Sequence, residues 1–264
     1  MASGETKKCN ELTGKEWLQN SFSIWRDLKK TAEERAYKHP ASFPVSLCEK
    51  LIRTFAPANC NVLDPFNGIG STTAAAAELG CSAVGIDLSK AFCKIASKRV
   101  CDHDRIRVIC GDSFSEISQL PKASFDICVT SPPYWDILNM KHSADKKDSV
   151  NYSDKSEDLG NIADYSEFVR RLTSLFAEVK NVLKPNAYCI INVMDIRKKS
   201  VFYPLHSDLA TALQGIGYVY DDLIIWDRQS DYNNMRPLGY PTKFRIYKVH
   251  EYLLIFINKY MTIK

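Results

Sequence analysis

The stretch VLDPFNGIGSTTAAAAELG, residues 62–80, restricts the fold more than any other part of the chain. An apolar run ends in Asp64, turns through Gly68 and Gly70, and continues into small side chains that favour helix. A strand that gives way to a helix so abruptly is the first half of a β-turn-α unit, and Ala74 to Ala77 let that helix lie close against a sheet. The pattern then recurs. SAVGID reads as a strand, SKAFCKIASKRV as a helix, RVICGD and FDICVTS as strands and DYSEFVRRLTSLFAEVKNVL as a helix. AYCIINVMD follows as a strand and HSDLATALQGIG as a helix, before DDLIIW and VHEYLLIFI close the series as strands. Runs of near-continuous Val, Ile and Leu are buried on both faces, so the alternation predicts an α/β fold in which helices cover a mostly parallel sheet.

With 264 residues the chain can form one large domain of this kind. An apolar fraction of 45% and a charged fraction of 25% are those of a soluble globular protein. No segment approaches the roughly 20 apolar residues of a membrane helix, and MASGETKKCNELTG lacks a signal-peptide core. An intracellular location is therefore expected, in cytoplasm or nucleoid, or in the nucleus of a eukaryotic host. Nine cysteines occur without a CxxC pair or zinc spacing, and read as reduced, mostly buried apolar residues. His39, His206 and His250 lack metal-ligand spacing, so no metal is expected. A net charge of +4 permits an acidic partner.

Open sheets bind ligands at the carboxyl ends of their strands. Three consecutive strand ends here carry acids: Asp64, Asp87 after AVGI, and Asp112 in CGDSF. Asp87 stands 17 residues beyond Gly70, where a carboxylate can bond ribose hydroxyls. The set predicts a nucleoside site. A dinucleotide would want GxGxxG and an open helix N-terminus for its pyrophosphate. Thr73 occupies the third glycine position, and Asp64 would repel phosphate. A cationic cofactor without phosphates, S-adenosylmethionine, suits such a turn better.

TSPPYW, residues 130–135, ends another strand. Two prolines fix φ and remove two N–H donors, so this elbow is stiff and presents its carbonyls and Tyr134 in a set direction. With DPFNGIGST (64–72) and HPASFP (39–44), it resembles the amino-methyltransferases of DNA, which act on N4 of cytosine or N6 of adenine. The resemblance covers most of 39–257 in the unpermuted motif order. It implies the class I methyltransferase fold, a Rossmann-like seven-stranded sheet whose last strand is antiparallel, and S-adenosylmethionine as cofactor, leaving S-adenosylhomocysteine. Asp64, Pro65, Phe66, Gly68, Gly70, Ser71 and Thr72 would then hold the cofactor, together with Asp87, Leu88, Asp112 and Ser113. His39, Pro40 and Phe43 would pack by its methionine end. Ser131, Pro132, Pro133 and Tyr134 would be catalytic, with Ser131 Oγ and the Pro132 carbonyl accepting amino hydrogens and Tyr134 stacking on a flipped base.

Residues 228–248, RQSDYNNMRPLGYPTKFRIYK, hold Arg228, Arg236, Lys243, Arg245 and Lys248 against Asp231, interleaved with Tyr232 and other aromatics. Cations for phosphates beside aromatics for bases make this the expected nucleic-acid surface. The organisation expected is a helical extension over 1–38 and a catalytic domain over 39–264, with a polar insertion at 136–163 that either covers the substrate or is a surface loop. Asp195 and Asp227 end strands as caps or hairpin residues. Serine at the first catalytic position is commoner among the cytosine enzymes that the chain resembles, so the resemblance implies N4 of cytosine. N6 of adenine, an RNA base amino group, or a silent cofactor- or nucleic-acid-binding subunit stay open, as do oligomeric state and recognition sequence.

Overall fold

A computed structural model describes residues 8–37, 42–136, 158–232, 235 and 237–259. The βα alternation is there. Helices α1 (Gly14–Asn20) and α2 (Ala32–Ala36) flank strand β1 (Ile24–Trp25), and α3 spans Val45–Phe55. Strand β2 (Asn61–Asp64) leads to α4 (Ser71–Glu78), β3 (Ser82–Asp87) to α5 (Lys90–Arg99), β4 (Ile106–Cys110) to α6 (Ser113–Ile117), and β5 (Phe125–Thr130) ends in the elbow. Then come α7 (Tyr165–Val182), β6 (Leu183–Val193), β7 (Ile196–Lys198), β8 (Val201–Tyr203), α8 (Leu205–Gly215), β9 (Val219–Asp227) and β10 (His250–Ile257).

The main sheet has the order β1-β9-β10-β6-β5-β2-β3-β4. Strand β10 runs antiparallel to β9 and β6, while the other pairs are parallel. The sheet thus has eight strands where seven were expected. The additional one is β1, which pairs Ile24 with Ile225 and Trp25 with Trp226 at the sheet edge. The extension over 1–38 was expected to be helical, but α1 stops at Asn20, and Trp25, in β1 and only 1% exposed, buries its ring in the core. Both extension helices start at a capping box, Thr13 with Glu16 and Thr31 with Glu34.

Successive strand residues face opposite helical layers. Val62, Ile127 and Ile190 join a core with α3 and α4, whereas Leu63, Cys128 and Ile191 join one with α7 and α8. Helix α3 buries Leu47, Cys48, Leu51 and Ile52 at helical spacing, and each Leu or Ile so buried contributes about 1.5–3 kcal/mol. Helix α7 does the same over four turns with Phe168, Leu172, Leu175, Phe176, Val179 and Val182. All the cysteines are free thiols. Cys9, Cys101 and, against the expectation for its strand, Cys110 are exposed. None of the described helices is long and apolar enough to cross a membrane.

Candidate active site

The parallel strands β2, β3, β4 and β5 deliver their carboxyl ends to one cleft of about 1080 Å³, counting the part open to solvent. Phe43, Pro65, Phe66, Gly68, Ser71, Asp87, Leu88, Asp112 and Ser113 line it, and so do Ser131, Pro132, Pro133 and Tyr134. The glycine turn and the elbow therefore share one cavity. Asp64, Gly70 and Thr72 do not reach its wall. They build it from beneath. His39, Pro40 and Arg236, and residues 137–157 of the insertion, lie outside the described residues.

Asp64 is 1% exposed; its Oδ1 accepts from Thr130 Oγ1 at 2.6 Å and from the Phe66 N–H at 3.0 Å, tying β2 to the end of β5. Its Oδ2 is buried with no hydrogen-bond partner. Burial pushes this carboxyl up to about 6, against the pull of those donors. Gly70 adopts φ +84, and an added Cβ there would lie 2.9 Å from Ala96 Cβ, so glycine is needed both for the turn and for the close approach of α5. The following hydroxyls act as struts: Ser71 Oγ donates to the Phe43 carbonyl at 2.8 Å and Thr72 Oγ1 to the Val129 carbonyl at 3.3 Å.

Asp87 is fixed from both sides. Oδ2 accepts the Gly68 N–H and Oδ1 the Ser89 N–H, each at 2.8 Å. Each oxygen keeps one further lone pair for a ligand. Burial raises its pKa, and the two N–H donors oppose the shift. Asp112 caps α6 by accepting from Ser115 N at 3.1 Å, and Ser113 Oγ donates to the Pro65 carbonyl. Pattern alone gave no reason to single out Asn67, Phe114, Asp158 or Leu159, which also line the cleft. Asn67 sits over Gly85, where a Cβ would fall 2.4 Å from its side chain, and its Nδ2 is buried without a partner. Among the described residues lining the cleft are Asp87, Asp112 and Asp158 and no Lys, Arg or His.

The elbow rests on a polar network that the sequence did not reveal. Tyr134 Oη donates to Glu251 Oε2 at 2.7 Å, while Asn192 Nδ2 donates to the same Glu251 oxygen and, at 3.1 Å, to Tyr134 Oη. Arg228 closes the network as an ion pair with Glu251, which is 4% exposed. Tyr134 spends its one proton on Glu251, so in its 3.3 Å contact with Ser131 the serine is the donor. The alternative acceptor for that proton is the Asn192 carbonyl at 3.2 Å. In both arrangements the Ser131 proton points into the protein and its oxygen keeps an acceptor site. Burial, and the Glu251 charge beside it, hold the Tyr134 phenol well above its ordinary pKa. Asn192 and Glu251 come from β6 and β10, far from the motifs, and only the sheet order brings them under Ser131.

On the expected nucleic-acid loop, Arg228 is engaged with Glu251 and Asp231, and its guanidinium lies over Trp226 and Tyr232, at 4.9 and 5.8 Å from the ring centres. Lys243 is exposed and Arg245 half-buried. Phe244 and Tyr240 stand 88% and 81% exposed. Asp195 accepts from His206 Nδ1 at 2.6 Å and Asp227 pairs with Arg26 at 3.1 Å, so both serve structure. Among the described residues no group of His, Cys, Asp or Glu could hold a metal ion.

A family model described as DNA methylase, of the N6/N4 type, matches residues 3–98 and 125–262, and one described as methyltransferase domain matches 62–148. The orphan methyltransferase M.BamHII of Bacillus amyloliquefaciens is 37% identical over 83 residues, 30% of this chain and 31% of that protein. The type II methyltransferase M2.LlaDCHI of Lactococcus lactis subsp. cremoris is 40% identical over 78 residues, 29% of each chain. The matched stretch thus spans about a third of the length of these relatives. Among solved structures, a SAM-dependent O-methyltransferase of Thermotoga maritima superposes with a TM-score of 0.51 at 11% identity, over 88% of this chain and 72% of that one, a likeness of fold.

Proposed function

The chain belongs to the N6/N4 DNA methylase family, and from that premise we propose that it methylates the exocyclic amino group of a base in DNA, N4 of cytosine, with S-adenosylmethionine as cofactor. The observation that carries the reading is the shared cavity: the cofactor turn and Ser131–Tyr134 line one cleft. The chemistry of its lining fits the cofactor. Phe43, Phe66, Phe114 and Leu159 offer apolar walls, and three carboxylates, with no cation among the described lining residues, suit a positively charged ligand and oppose phosphates. Asp87, oriented by two N–H donors, is the residue for the ribose hydroxyls, and the buried Asn67 amide is a donor for the same ligand.

When bound, the cofactor supplies an electrophilic methyl group. The chain's own residues hold and orient the acceptor. An exocyclic amino nitrogen is a weak nucleophile because its lone pair is delocalised into the ring. Ser131 Oγ, with its proton turned inward, accepts one amino hydrogen and the Pro132 carbonyl the other, drawing the nitrogen toward a pyramidal shape. The prolines and the Tyr134–Glu251 bond fix these acceptors before the base arrives, so little reorganisation is left for the reaction itself. The ring of Tyr134 lines the cleft as a surface for the extruded base. Exposed Lys243 and half-buried Arg245, with the aromatics beside them, serve the nucleic-acid backbone.

Mass spectrometry of nucleosides from duplex DNA incubated with protein and cofactor tests the reading. N4-methyldeoxycytidine is the expected product. N6-methyldeoxyadenosine would move the assignment to adenine, and methylation of tRNA or rRNA with none in DNA would overturn it.

A further inference from the structure

We propose that the β7–β8 hairpin, residues 196–203, is a nucleic-acid docking element that seats the DNA backbone beside the catalytic elbow; this rests on the reading of the site as a DNA methylase. The hairpin begins three residues after β6 ends, at the edge of the sheet where ligands bind. Its two faces differ in a way the pairing explains. Ile196 opposes Tyr203, Lys198 opposes Val201, and Arg197 opposes Phe202 between them, so Arg197 and Phe202 share the face opposite the other pairs.

One face fastens the hairpin to the elbow. Ile196 is buried, Tyr203 packs edge-on against Trp135 at 5.0 Å, and Lys198 lies 3.9 Å from the centre of the Trp135 ring while pairing with Asp136. Trp135 follows Tyr134 directly and is itself 4% exposed. The hairpin and the catalytic turn therefore form one rigid piece. The other face is open and cationic. Phe202 is 38% exposed, and two cations share its ring: Arg197 at 5.3 Å and Lys248, from the end of the 228–248 loop, at 4.8 Å. A ring that holds two flexible cations in place reduces the entropy they lose on meeting phosphates. It also joins the hairpin to the loop already assigned to the backbone.

The tip supplies a further sign. The two-residue turn is Lys199–Ser200, with Lys199 at φ +56. Glycine or asparagine adopts that conformation at little cost, and lysine does so only under strain. A cation thus stands where the fold alone would favour a neutral residue. Arg197 and Lys199 are exposed; the flanking acids Asp195 and Asp208 are engaged by His206 and Tyr165, and Asp136 is paired with Lys198. The excess of positive charge selects a polyanion over a second copy of the chain.

The test uses Lys199→Gly, which relaxes the turn, and Arg197→Gln, singly and together, with duplex DNA binding followed by fluorescence anisotropy across a salt series. The double variant is expected to keep or raise its melting temperature and to keep its affinity for S-adenosylhomocysteine. It should lose about tenfold in DNA affinity, with the slope of log K against log salt reduced by about two, roughly 0.9 per cation removed. Phe202→Ala should lose about two- to fivefold with the slope retained, as the cations lose their platform. Unchanged affinity and slope in the double variant, where the wild type binds and methylates DNA, would overturn the proposal alone. Dissociation of a wild-type dimer by these variants without any change in slope would mark the face as a contact between copies and overturn it too. A wild type that methylates no DNA would instead refute the reading of the site.

Discussion

Removing the Glu251 carboxylate should unfold the support beneath the elbow before it touches any ligand. The Glu251 side chain is 6% exposed and the Arg228 side chain 26% exposed. Deleting one member of a buried ion pair costs about 3–5 kcal/mol, because the partner's charge stays behind without compensation. Arg228 keeps a quarter of its surface in water and has Asp231 at 3.3 Å, so the lower end applies, and Glu251→Ala should cost about 3 kcal/mol. For a chain of this size that lowers the melting temperature by roughly 6–12 °C. Glu251→Gln retains the size and one acceptor for Tyr134 and Asn192 and should lose about half as much. Replacing the pair together, Glu251→Leu with Arg228→Met, removes both charges and should recover stability relative to Glu251→Ala. Urea titrations of wild type, Glu251→Leu, Arg228→Met and the double variant close this cycle, with Glu251→Ala and Glu251→Gln measured beside them. A Glu251→Ala variant within about 0.5 kcal/mol of wild type, or strict additivity in the double variant, would refute the ion-pair account.

Ser131→Ala should lower kcat by about 10²–10³ with the cofactor dissociation constant unchanged; calorimetry with S-adenosylhomocysteine and a methyl-transfer assay separate the two, and parallel losses would make the elbow merely structural. The Asp64 carboxyl, raised to about 6 from an ordinary 3.8 by burial, binds its proton more tightly folded than unfolded. Its contribution is therefore fully present below about pH 4 and lost as pH rises through 6, a difference of about 3 kcal/mol. Asp64→Asn should flatten stability against pH across that window, and an identical slope in both proteins would contradict it. Gly85→Ala should displace Asn67, whose side chain a Cβ would meet at 2.4 Å, and weaken S-adenosylhomocysteine binding. Wild-type affinity in that variant would remove Asn67 from the site.

What could be read in advance followed from period and punctuation. The βα units of 61–130 announce themselves because each strand is buried on both faces and each turn carries Gly, Asp or Pro at a strand end. Helix α3 is legible in VSLCEKLIRTF, where Leu47, Leu51 and Ile52 stand at helical spacing. The short elements β1, α6, β7 and β8 left no periodic trace, and β1 is placed by its pairing with the distant β9. The same holds for the site. Asp87 and Ser131 stand in recognisable turns, but Asn192 and Glu251 lie in apolar strands where a lone polar residue carries no local signal. Their meeting follows from β10 being inserted antiparallel between β9 and β6, which only the assembled sheet shows.

The edge strand β1 carries a cost in time. Trp25 leaves the ribosome long before Trp226, its partner 201 positions later, so a large indole waits in water until the closing hairpin has been made. Strand β1, made before its partner β9, is thus among the last to lock. A nascent or nicked chain lacking β9 should expose Trp25 to proteases and chaperones, making the closed β9–β10 pair the signal that β1 is folded.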